Sequence, residues 1–253
     1  MSFIDRGGVR IFYEVTGSGD GPPVLLSHGF GSSSLMWSPN VGALAAGRPV
    51  VTWDMRGHGR SDSPADQADY SAAACVADMV ALLDVAGADR AVLCGLSLGG
   101  YLSLAFRLVH PERVAALILC DTGPGYRNDQ ARQEWNDRAL AQADRLEHDG
   151  LTALGPDSSH HSSAGGVARA ARGMLTQWDA SVIESLPDIA VPTLVLVGSR
   201  DKPFIGAANY MTSKIPGAEQ VVIDDAGHVA NVDAPAAFND AVLAFLAQLQ
   251  PQL

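Results

Sequence analysis

Short apolar runs, each closed by glycine, proline or a charged turn, alternate along the first half of the chain with stretches whose apolar residues return every three or four positions. Val9–Val15 reads V-R-I-F-Y-E-V, an alternation that predicts an antiparallel edge strand, and the following T-G-S-G-D-G-P-P predicts a loop. Val24–Ser27, Pro49–Trp53, the run from Ala91 that stops at Gly95, and Val114–Cys120 are too brief for helices and carry no polar face. They predict strands covered on both sides. Helical spacing is weak over Trp37–Ala46 and stronger over Ser71–Val85, where Ser71 is a plausible cap and Ala74, Ala77, Met79, Leu82 and Leu83 share a face; Leu98–Val109 also reads as a helix. Strand and helix in strict alternation predict an α/β fold, a mostly parallel doubly wound sheet with helices on both faces.

From Thr122 to Pro187 the pattern changes. No run there reads as a strand, and helical stretches near Gln130–Leu146 and Val167–Trp178 are broken by L-G-P-D-S-S-H-H-S-S-A-G-G. A helical insertion of this size predicts a lid, so residues 1–121 and 188–253 are expected to form the core and 122–187 the cap. Trp135, Met174, Leu175 and Trp178 are the apolar residues that the insertion offers to a substrate pocket, with core packing the alternative for the two tryptophans. The adjacent His160 and His161, in a serine-rich stretch without a nearby cluster of cysteines or carboxylates, read as solvent-exposed rather than metal-binding. Strands resume at Thr193–Val197 and Gln220–Ile223, and Pro235–Gln248 is the closing amphipathic helix.

Composition narrows the function classes. The chain has 253 residues, 47% of them apolar and 18% charged, and a net charge of −11. Such an acidic balance argues against nucleic acids and anionic membrane surfaces as partners, both of which demand clustered lysine and arginine. No apolar run is long enough to span a membrane, and M-S-F-I-D-R-G-G lacks the apolar core of a signal peptide, so a cytoplasmic location is expected. Cys75, Cys94 and Cys120 cannot all pair, and they read as small buried hydrophobes. Whether the chain is a monomer or a homodimer is left open.

The candidate chemistry lies at strand ends. Gly95-Leu96-Ser97-Leu98-Gly99 is G-x-S-x-G, the pattern of a strand turning sharply into a helix, with the serine exposed on a strained corner and the helix N–H groups aimed at whatever it attacks. Asp201 in G-S-R-D-K-P and His228 in D-D-A-G-H-V each follow a later strand. A serine hydroxyl needs an imidazole to take its proton, and the imidazole needs a carboxylate to orient it. Asp121, ending the strand before, is a second candidate for that carboxylate. His28, in the glycine-rich H-G-F-G-S loop, and His58, in D-M-R-G-H-G-R-S-D, read as structural.

Through H-G-F, D-M-R-G-H-G-R-S, G-L-S-L-G-G, H-P-E-R-V, P-T-L-V-L-V-G-S-R-D and A-G-H, the chain resembles the α/β-hydrolase superfamily over nearly its whole length, and within it the small esterase and lactonase branch that includes 3-oxoadipate enol-lactonase. The resemblance implies that the backbone N–H groups of Phe30 and Leu98 form the oxyanion hole, and that no metal and no organic cofactor take part. It implies a carboxylic ester hydrolase acting on a small ester or lactone. C–C bond hydrolases, thioesterases, peptidases and perhydrolases use much the same triad, and a hydrolase-like ligand receptor is an alternative of another class; serine at position 97 argues against dehalogenases of this fold.

Overall fold

The computed structural model describes residues 2–249; residues 1 and 250–253, at the ends of the expected core, lie outside the described residues. In chain order the elements are β1 (Ser2–Asp5), β2 (Arg10–Thr16), β3 (Val24–Ser27), α1 (Ser38–Leu44), β4 (Val50–Trp53), α2 (Ala72–Val85), β5 (Ala91–Leu96), α3 (Leu98–Val109) and β6 (Val114–Cys120). Then come α4 (Asp129–Asp149), α5 (Ala164–Ala170), α6 (Ser181–Glu184), β7 (Thr193–Gly198), α7 (Lys202–Lys214), β8 (Glu219–Ile223), α8 (Ala230–Asp233) and α9 (Pro235–Gln248). Among the described residues the strands form one sheet ordered β1-β2-β4-β3-β5-β6-β7-β8, antiparallel at β1–β2 and β2–β4 and parallel from β4 to β8.

One expectation needs correction here. The strand predicted over Val9–Val15 is not at the edge: β1 pairs along it and takes the outer place. S-F-I-D is too short to show a period of its own, and only the partner strand reveals it as a strand.

The doubly wound core follows from side-chain alternation. Leu25, Val51, Trp53, Leu93, Leu117, Leu119, Val195 and Val197 point to the face covered by α2 and α3. Their neighbours Val24, Leu26, Val50, Val92, Cys94, Ile118, Leu194 and Leu196 point to the other face, against Trp37, Leu44 and the Phe238, Val242, Phe245 and Leu246 stripe of α9. A strand buried on both faces cannot alternate in polarity, which is why these strands read as continuous apolar runs. Cys75, Cys94 and Cys120 are free and buried.

Residues 122–187 carry helices and no strand, and join β6 to β7. Ala143 and Leu146 of α4 pack on Val167, Ala168 and Ala171 to make a small cluster apart from the two sheet-face cores, with Phe30 against it. No helix among the described residues is long and apolar enough to cross a membrane.

Candidate active site

At the junction of β5 and α3, Ser97 has φ 53° and ψ −114°, a left-handed conformation that costs a non-glycine residue about 1–3 kcal/mol. The flanking glycines make the corner possible. A Cβ on Gly95 would collide with the Gly99 carbonyl, and one on Gly99 with the Ser27 carbonyl of the adjacent strand. Ser97 donates its N–H to Cys120 O (2.9 Å) and accepts from Thr122 Oγ1 at its own carbonyl (2.6 Å), so the strained turn is tied to the end of β6.

Asp201 and His228 follow β7 and β8. His228 Nδ1 lies 2.8 Å from Asp201 Oδ2; the carboxylate side chain is 3% exposed and the imidazole 42%. The Phe204 ring stacks on the imidazole at 4.7 Å between centroids and 30° between planes. Sequence reasoning missed Phe204. Its only trace is its place just after Asp201-Lys202-Pro203, where Pro203 stands in the first turn of α7. The rival Asp121 is committed elsewhere: Oδ1 accepts from Gly198 N (2.8 Å) and Oδ2 from Ala230 N (3.1 Å), and burial pushes its carboxyl up to about 6. Asp121 thereby ties the loops that carry Asp201 and His228 to the end of β6.

Among the described residues no protein acceptor meets the N–H of Phe30 or of Leu98. Three histidines hold the loop that carries Phe30. His28 Nε2 accepts from Met55 N (2.9 Å) and its Nδ1 donates to Gly29 O (2.7 Å). His58 Nε2 accepts from Gly31 N (3.2 Å) and its Nδ1 donates to Arg56 O (3.0 Å). His161 Nδ1 accepts from Gly59 N (3.0 Å) and its Nε2 donates to Gly31 O (3.0 Å). Each ring therefore uses one nitrogen as an acceptor, which only neutral imidazole provides, and burial holds all three below the ordinary histidine value. The expectation that His161 faces solvent is overturned: it is buried, because it reaches from the insertion into the core and closes on Gly31 and Gly59. Below these rings Arg56 forks onto buried Asp78 (2.6 and 2.8 Å), fixing the D-M-R-G-H-G-R-S turn to α2.

Over the strand ends lies a cavity of about 510 Å³ between core and insertion, lined by Ser97, Leu98 and Phe204 from the core side and by Trp135, Met174 and Gln177 from the other. Trp135 donates its indole N–H to Leu175 O (2.7 Å), which fixes the ring in the wall. Trp178 is not there. It is 83% exposed, because Asn136 clamps the backbone of Gln177 through Gln177 N→Oδ1 and Nδ2→Gln177 O (both 2.8 Å) and turns the next side chain outward. Gln177 takes the pocket position that the sequence assigned to Trp178. Among the described residues no group of three or more histidines, cysteines and carboxylates is arranged to hold a metal ion.

Comparison with known proteins identifies the family. The chain is 28% identical over 265 residues to a Bacillus subtilis protein provisionally named 2-succinyl-6-hydroxy-2,4-cyclohexadiene-1-carboxylate synthase, covering 96% of each chain. It is 27% identical over 266 residues to 3-oxoadipate enol-lactonase 1 of Acinetobacter baylyi, covering 97% of this chain and 96% of that one. Among solved structures, a thermophilic esterase from Thermogutta terrifontis, crystallised with malate bound, superposes with a TM-score of 0.85 at 28% identity, over 99% of this chain and 100% of the other. Residues 24–241 match the Alpha/beta hydrolase family, and the chain belongs to it.

Proposed function

We propose that the protein hydrolyses small carboxylic esters or lactones through an acyl-enzyme on Ser97. The observation that carries this reading is the His228–Asp201 pair at 2.8 Å at the strand ends, with Phe204, stacked on the imidazole, lining the same cavity as a serine held on a strained corner. His228 Nε2 takes the Ser97 proton as Oγ attacks the carbonyl carbon, and Asp201 accepts from Nδ1–H, fixing the tautomer and stabilising the imidazolium. Negative charge gathering on the carbonyl oxygen is met by the Phe30 and Leu98 N–H groups, the latter at the positive end of α3. The tetrahedral species collapses, His228 protonates the leaving oxygen, and the alcohol departs or, for a lactone, stays tethered to the acyl chain. Water deprotonated by His228 then releases the acid and restores Ser97. Residues 122–187 act as the lid that shapes the pocket through Trp135 and Met174.

A short-chain para-nitrophenyl ester tests this reading. Repeated turnover, lost in Ser97→Ala, is the expected outcome; a burst of one equivalent without further turnover would identify a ligand receptor instead.

A further inference from the structure

Two of the polar side chains on the cavity wall are already spent on the protein's own backbone. Thr122 gives its hydroxyl to the Ser97 carbonyl (2.6 Å) and Trp135 its indole N–H to the Leu175 carbonyl (2.7 Å). Gln177 is different. It lines the same cavity and is 7% exposed, yet among the described residues its carboxamide makes no hydrogen bond, and Oε1 is enclosed without a donor. Its main chain is fixed, because Asn136 clamps the Gln177 N–H and carbonyl (both 2.8 Å). Beside Oε1 stands Gly125, at φ 90°, where a Cβ would come within 2.8 Å of that oxygen and within 3.4 Å of Tyr101 Cε2. The glycine makes the space that the carboxamide occupies, with the Tyr101 ring alongside. Tyr101 in turn lies one turn of α3 beyond Ser97 and donates its N–H to the Ser97 carbonyl (3.1 Å). The carboxamide is therefore held one aromatic ring away from the turn that carries the nucleophile.

We propose that Gln177 is a specificity-determining residue whose carboxamide oxygen makes the cavity prefer esters or lactones carrying a neutral hydrogen-bond donor, a hydroxyl or an amide N–H, a few bonds from the reacting carbonyl. This rests on the hydrolase reading above. A buried acceptor left without a donor is costly, and in folded proteins such a group is met by a bound molecule or an ordered water. The last torsion of a glutamine side chain is soft, so a small rotation brings Oε1 to a donor inside the cavity without disturbing the Asn136 clamp. Ethers and carboxylates bring only acceptors, and they gain nothing from this oxygen.

The test uses methyl esters of straight-chain acids with a hydroxyl on one carbon from the third to the sixth, each beside the same ester with a methyl group or a methoxy group in place of the hydroxyl, followed by proton release. At one position or more the alcohol is expected to exceed both analogues in kcat/KM by about tenfold, and Gln177→Met, which keeps the length of the side chain and removes its oxygen, is expected to abolish that ratio. Titrating the favoured alcohol and its methyl ether into Ser97→Ala measures the same preference without chemistry, and it keeps the test open should Gln177→Met fail to fold. Tighter binding of the alcohol there, lost when Gln177→Met is added, supports the proposal even if no ester is turned over, a result that would defeat the hydrolase reading alone. A ratio unchanged in Gln177→Met, equal affinity of Ser97→Ala for alcohol and ether, or no position at which the alcohol is preferred overturns it, since water alone then satisfies the oxygen. A methyl ether preferred over the alcohol overturns it too, because the carboxamide then works as a donor.

Discussion

Two buried carboxylates stand at neighbouring strand ends, and their hydrogen-bond partners differ. Asp201 faces imidazole, whereas both oxygens of Asp121 are taken by backbone N–H groups. Asp201→Asn should therefore lower kcat by about 10⁴ while leaving the fold intact, since the wrong tautomer of His228 is then favoured. Asp121→Asn presents an amide NH₂ to a backbone N–H and should cost stability, about 1–3 kcal/mol, with kcat of the folded protein changed less than about tenfold. Steady-state rates and denaturant midpoints of both variants check this, and a crippled but stable Asp121→Asn would reverse the assignment. Ser97, Asp201 and His228 could be named as candidates because each residue type stands in a motif that follows a recognisable strand. Phe204 was not, since ring stacking on His228 arises only when β7 and β8 lie side by side.

Among the elements, the β5–α3 corner shows why its glycines could be read in one dimension: the collisions that exclude a Cβ at Gly95 and Gly99 are made within the turn or with the adjacent strand. Gly95→Ala is expected to abolish the folded corner, seen as loss of soluble protein or of a cooperative melting transition; a stable and active Gly95→Ala would contradict the packing. The insertion was legible as helical but not in its facing. Trp135 and Trp178 are equally apolar, and only the Asn136 clamp on Gln177 decides that the second turns outward. Trp178→Ala should accordingly leave the ranking of ester chain lengths unchanged. Trp135→Ala should reorder it by about 1–3 kcal/mol per mismatched group while a small acetate ester is still turned over. Equal loss on every substrate in Trp135→Ala would place the insertion in the catalytic machinery rather than over it.

For the whole molecule, stability should fall as pH drops below the ordinary histidine value of 6.5, because His28, His58 and His161 are held neutral in the fold and protonate freely once it is lost. The unfolded chain then binds more protons than the folded one, and the unfolding free energy decreases with falling pH. Asp121, raised from 3.8 to about 6, works in the opposite direction, one group against three. A melting temperature lower at pH 5.5 than at pH 7.5, with a smaller drop in His161→Gln, is expected; a melting temperature that rises on acidification would contradict the buried neutral cluster. Nothing in His160-His161 as a pair of letters separates the buried ring from its neighbour, for burial comes from Gly31 and Gly59, more than a hundred residues upstream. The sheet itself was largely legible, because strands covered on both faces must be apolar throughout, while β1 is defined only by its partner. The central claim, an acyl-enzyme on Ser97, is tested most directly by mass spectrometry of the protein after reaction with a phenyl sulfonyl fluoride. One adduct, on the peptide that contains Ser97, with activity lost in proportion, is the predicted result; labelling elsewhere while Ser97→Ala keeps its activity would contradict the account.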